Sequence, residues 1–239
     1  MKRCLALVFG LLVLLSGCGK EMAQQSQTEG ETLPRNLQIR AISEPVGFGG
    51  FRAGAPGDGE AAARALVEPA LAAYPAGLLA QLGPVEVLLV GGLTGEGNFA
   101  HGSYAGFTQR LSDGWRMVLD VNACTAGTVH HEMGHILDGI LTEAGALTEE
   151  EWLRLCPPEF QYGSGDWEGY SDFFADAYAM TDMKEDRAAV FEAAMMGGEG
   201  VFDGKSPLWL KLSHFSAAIR DHFDTTGWPA AAIWELALH

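Results

Sequence analysis

The chain predicts an α+β fold in which a small sheet is followed by a mostly helical remainder. Three observations carry this. Val85 to Val90 is a nearly continuous apolar run bounded by Gly83-Pro84 and Gly91-Gly92, the pattern of a buried strand. Trp115 to Val121 alternates bulky apolar residues with Arg116 and Asp120 and reads as a second strand. From Thr128 to Leu141 the apolar positions Val129, Met133, Ile136, Leu137 and Ile140 recur at helical spacing, with Thr125 or Thr128 able to cap the first turn.

The other elements follow from the same reasoning. Gly47 to Gly59 holds six glycines and a proline and reads as a loop. Glu60 to Tyr74 is alanine-rich, with Leu66, Val67, Ala70 and Leu71 at amphipathic spacing, and Pro75 suits the start of a short helix through Leu82. Thr94 to Gly106 is glycine-rich and reads as surface loop. Helices are expected over Tyr170 to Met180, Arg187 to Met196, 207–223 and 229–238.

The chain has 239 residues and a formal net charge of −16, so one sizeable core is within reach. An acidic surface of this kind repels phosphate backbones, which argues against nucleic acid as a partner. The N-terminus reads as a targeting segment. Lys2 and Arg3 precede an apolar run from Cys4 to Leu15, too short to span a bilayer comfortably and suited to a signal sequence. Leu15-Ser16-Gly17-Cys18 resembles a bacterial lipobox. That resemblance implies cleavage after residue 17, a lipid on Cys18 and attachment to a bacterial membrane, with the outer membrane favoured because Gly19 is not an aspartate. Residues 18–36 are rich in Gln, Glu, Ser and Thr and read as a flexible tether, which leaves 37–239 as one folded domain, expected to be a monomer. Once Cys4 and Cys18 are set aside, Cys124 and Cys156 remain, and two spare thiols outside the cytoplasm are expected to pair.

The chemistry concentrates in His131-Glu132-Met133-Gly134-His135. Residues four apart share one face of a helix, so both imidazoles can reach one zinc ion, and the intervening glutamate lies where it can take a proton from water. Gly134 suits close packing of that helix. His130 projects about 100° away around the helix and reads as a packing or hydrogen-bonding residue. Two histidines leave room for one further protein ligand and a water, the open arrangement of a catalytic zinc. Downstream, Glu168, Asp172 and Asp176 are spaced four and four. Either Glu168 is the ligand backed by Asp172, or Asp172 is the ligand backed by Asp176.

Asp172-Phe173-Phe174-Ala175-Asp176-Ala177-Tyr178 resembles the E-F-F-A-E-A-F stretch of the anthrax lethal factor family of metallopeptidases, and His131 to Asp138 resembles that family's H-E-x-G-H-x-x-D. Tyr162-Gly163 is similar to a tyrosine-glycine pair in the family, although it lies ten residues before Asp172 where the family has seven, so Tyr170 is a rival. The resemblance implies a zincin-like fold, with Asp172 as third zinc ligand, Asp176 as its support and Tyr162 as donor to the oxyanion. The expected function is zinc-dependent hydrolysis of polypeptide substrates, with Glu132 as general base. Alternatives are a zinc-containing accessory protein without turnover and an amidase acting on cell-wall peptide. The Trp115 to Val121 strand is a candidate edge for pairing an extended peptide.

Mass spectrometry of membrane extracts is expected to show acyl mass on Cys18, and Cys18→Ala to release the protein or leave it uncleaved. An unmodified, soluble native form would count against the anchor.

Overall fold

The computed structural model describes residues 33–97, 102–198 and 201–239. The signal segment, Cys18 and most of the tether lie outside these residues, as does His101. No helix among the described residues is long and apolar enough to cross a membrane.

Six strands form one mixed sheet: β1 (Leu37–Ala41), β2 (Val46–Gly47), β3 (Phe51–Gly54), β4 (Val85–Gly95), β5 (Gly106–Arg110) and β6 (Trp115–Asp120). The long β4 pairs in parallel with β1 through Val85 to Leu89 and antiparallel with β3 through Gly91 to Gly95. β6 runs parallel to β4, and β5 closes the path as an antiparallel terminal strand on β6. The strand expected to offer an edge, Trp115 to Val121, is therefore interior, and β5 takes the edge position. β5 was hidden because Gly106-Phe107-Thr108-Gln109-Arg110 carries little apolar alternation.

Side chains alternate across the sheet, as a period of two requires. Val85, Val87 and Leu89 of β4 and Trp115, Met117 and Leu119 of β6 face the main core, while Leu88, Val90 and Val118 face a smaller cluster with Phe48 and Ala53. The helices α1 (Glu60–Ala72), α2 (Ala76–Gln81), α3 (Ala126–Glu143), α4 (Glu149–Leu153), α5 (Trp167–Tyr170), α6 (Met183–Met195) and α7 (Pro207–His222) complete the domain. The expected helix over 170–180 does not form. Ser171–Phe173 and Tyr178–Met180 are single 3-10 turns, Phe174 is extended, and the Asp176 carboxylate accepts from the Ala179 amide at 2.8 Å. A short acid that binds the backbone locally in this way competes with helix continuation. The 229–238 segment is likewise a 3-10 turn, over Ile233–Leu238.

α3 and α6 pack closely. A Cβ on Gly134 would stand 3.0 Å from the Ala188 Cα, so the absent side chain permits the approach. Successive residues of α6 step about 100° around its axis, and three of them serve three surroundings. Glu185 faces the histidines of α3. Asp186 enters the core, where its Oδ2 accepts from Lys211 Nζ at 2.7 Å, Tyr162 Oη at 2.7 Å and Trp152 Nε1 at 2.8 Å. Arg187 donates to Asp138 of α3 at 2.7 Å. Asp186 and Lys211 are wholly buried, so each is tolerable only because of the other. Cys124 and Cys156 are both free; Cys156 Sγ lies 3.5 Å from the Tyr162 hydroxyl instead of in a bridge.

Lys211→Met would strand the Asp186 carboxylate and is expected to lower the unfolding free energy by about 3–5 kcal/mol, read by urea denaturation. Adding Asp186→Asn is expected to recover much of that loss. A single variant as stable as the parent would show that the pair is not the anchor.

Candidate metal centre

The site is built on α3, and the start of that helix is set by the end of β6. The buried Asp120 carboxylate accepts from the amides of Leu93 at 2.9 Å, Asn122 at 3.0 Å and Gly92 at 3.2 Å, which locks the turn leaving the sheet. Thr125 then caps α3. Its hydroxyl accepts from the Thr128 amide at 3.1 Å, and its own amide donates to the Thr128 hydroxyl at 3.1 Å. Val129, Met133, Ile136, Leu137 and Leu141 bury the apolar face. His131 and His135 are thereby left side by side, with ring centroids 4.8 Å apart and planes at 84°. His130 turns into the core, where Nδ1 lies 2.9 Å from the Tyr74 hydroxyl.

The third member of the group is Glu185, in the first turn of α6. Its Oε2 lies 3.0 Å from His131 Nε2 and 3.3 Å from His135 Nε2. One ligand atom from each of His131, His135 and Glu185 falls within 4.8 Å of the others. A tetrahedral zinc with bonds of ~2.0–2.1 Å needs ligand atoms about 3.3–3.4 Å apart, and two imidazoles with one carboxylate form a common catalytic donor set. Glu132, between the histidines in sequence, is 4 % exposed, and its Oε2 has no hydrogen-bond partner. A buried acid oxygen left unmatched is costly unless something else meets it. These residues fit a zinc ion.

Charge pairing also draws these side chains together without a metal. Burial works to depress the His131 pKa, but hydrogen bonds with Glu185 and Glu192 overcome it and lift the group to about 10. Burial likewise works to raise Glu185, and contact with the two imidazoles brings it down to about 2. An anionic carboxylate therefore faces the imidazoles throughout the neutral range. Burial raises Glu132, with the neighbouring histidines opposing the shift.

The acid that meets the two histidines is Glu185, and Asp172 does not join them. Asp172 is exposed in the Ser171–Phe173 turn and stands outside the group, and Glu168 is exposed on α5. Asp176 accepts from the Ala179 amide through Oδ1 and stands outside the group. Tyr162 packs edge-on against Phe160 and Phe174 and donates a hydrogen bond to Asp186, so its hydroxyl serves the buried ion pair. A different tyrosine stands at the group. Tyr178 is 54 % exposed, and its ring centroid lies 6.3 Å from that of His131. Burial is the first cause holding the Tyr178 hydroxyl well above its ordinary pKa, followed by the nearby Glu185 and Glu132 charges. One signal pointed to this pair: Tyr178 precedes Glu185 by seven residues, the separation that the family resemblance carries.

No family model matches the chain, and no curated protein matches it. Among solved structures, the fold is similar to a Bacteroides caccae protein described as a "putative zinc-binding metallo-peptidase". The TM-score is 0.52 at 14% identity, over 84% of this chain and 83% of that one. At that identity the likeness is one of fold: the two share a mixed α+β architecture with a small sheet and packed helices.

Zinc affinity is expected to fall in Glu185→Ala by more than the about 10–100-fold that loss of an outer partner typically costs, and to be unchanged in Asp172→Ala, which meets neither histidine. Competition with a chromogenic chelator would measure both. A greater loss in Asp172→Ala would return the third position to that residue.

Proposed function

We propose that the chain is a zinc-dependent metallopeptidase of zincin-like fold, with zinc held by His131, His135 and Glu185. The observation that carries this is the meeting of those three side chains beside a buried, partnerless Glu132 oxygen. Zinc, when bound in such a site, supplies a Lewis acid that lowers the pKa of a water toward neutrality and polarises a carbonyl. Glu132 is the general base. Burial raises its proton affinity, so it accepts the proton of the attacking water and returns it to the leaving amine. Tyr178, in place of Tyr162, donates to the oxyanion. Its raised pKa keeps the hydroxyl protonated as charge develops on the substrate oxygen.

β5 is the surface we assign to the peptide main chain. It ends the sheet, and its Thr108 hydroxyl donates to the Glu132 carbonyl at 3.1 Å, so the strand lies against the motif helix. An extended substrate adding to that edge would gain main-chain hydrogen bonds while passing the histidines. The lipobox-like segment ending at Cys18 extends the proposal to an enzyme anchored outside the cytoplasm by its lipid.

With zinc supplied stoichiometrically, the protein is expected to cleave members of a mixed peptide library. Glu132→Gln should keep zinc and lose about 10²–10⁴-fold in rate. Tyr178→Phe should lose about 10²–10³-fold in kcat, whereas Tyr162→Phe should affect stability before turnover. Native-rate cleavage by the Glu132 variant would sink the mechanism, and no cleavage of any peptide by the zinc-loaded parent would sink the activity.

A further inference from the structure

We infer that Glu192 is a positioning residue for His131, fixing which ring nitrogen is free to bind metal. The inference rests on the reading of His131, His135 and Glu185 as a metal site. Glu192 follows Glu185 by seven residues, close to two full turns, so both acids project from nearly the same face of α6. They meet opposite sides of one imidazole. Glu185 Oε2 lies 3.0 Å from Nε2, and Glu192 Oε2 lies 3.1 Å from Nδ1. To bind a metal the imidazole must lose its extra proton, which leaves one N–H and one lone pair. A carboxylate at Nδ1 accepts the N–H there, which leaves the lone pair on Nε2, the atom that faces Glu185 and the neighbouring histidine. The same contact fixes the ring plane and increases the donor strength of Nε2.

A second observation points the same way. Gly127 sits in the first turn of α3, and a Cβ added there would stand 2.5 Å from Glu192 Oε1. Its φ is not among the positive ones, so the backbone does not require glycine. Glycine within a helix costs about 1 kcal/mol relative to alanine. What this glycine admits is the Glu192 carboxylate. Neither role falls to Asp176, the acid that resemblance placed in support of the site, because its carboxylate is occupied with the Ala179 amide.

The test is zinc affinity by chelator competition for the full chain and three variants, with thermal unfolding of the metal-free forms alongside. Glu192→Ala is expected to weaken zinc binding by about 10–100-fold. Glu192→Gln should fall between that and wild type, since its amide oxygen still accepts the Nδ1–H without the charge. Gly127→Ala should displace the carboxylate and weaken zinc binding tenfold or more while leaving the metal-free protein as stable or more stable. A merely structural role would make affinity follow stability. In zinc-loaded wild type, proton NMR should also show a downfield Nδ1–H signal from His131 that is lost in Glu192→Ala. Zinc binding by wild type with unchanged affinity in both Glu192→Ala and Gly127→Ala would overturn this inference alone. Failure of wild type to bind zinc would overturn the metal-site reading and this inference with it.

Discussion

The closeness of α3 to α6 is the constraint on which the site depends. Gly134 removes the one side chain that would hold the helices apart at Ala188. Because the backbones meet there, a glutamate on one helix reaches two histidines on the other with a separation of 3.0–3.3 Å. The buried Asp138–Arg187 pair fastens the same two helices toward the far end of α3. Its charges are out of water, so neither can move without leaving the other unmatched. The contact is thus set sterically at one point and electrostatically at another, and Glu185 lies within three residues of both on α6.

The sheet fixes where this helix pair sits. β6 feeds α3 through a turn held by three amides on Asp120, and β5 touches the same helix through Thr108. The histidines consequently lie near a strand that, among the described residues, ends the sheet. β4 is long enough to take β1 on its first half and the β2–β3 hairpin on its second. That division covers the remote side of the sheet and leaves the β5 side to the site.

What was legible in the sequence was local. His131, Glu132 and His135 share a helix whose period, cap and buried face are all written within eighteen residues. The strands β4 and β6 were legible because apolar runs mark them, whereas β1, β3 and β5 are short, mixed in polarity or set among glycines. Glu185 was hidden for another reason. Its nearness to His131 comes from helix packing across 54 positions of chain, and no periodicity records that. The acids at 168, 172 and 176 imitated a helical face, but Phe174 leaves the helical region and Asp176 spends its carboxylate on a turn. Tyr162 was misleading in a similar way: its polar end answers a need of the core.

The division of labour among Glu185, Asp186 and Arg187 bears on how this protein can vary. One inserted or deleted residue ahead of them in α6 would turn the helix by about 100°. A deletion would then offer Asp186 to the histidines, one methylene short, and an insertion would offer the cation Lys184. The deletion would also bring Arg187 to the core, a charge that Lys211 cannot match. Length changes between relatives should therefore collect in the irregular stretch before Asp182 and stop short of the helix. Adjacent acids that look interchangeable in composition are, in this position, not exchangeable at all.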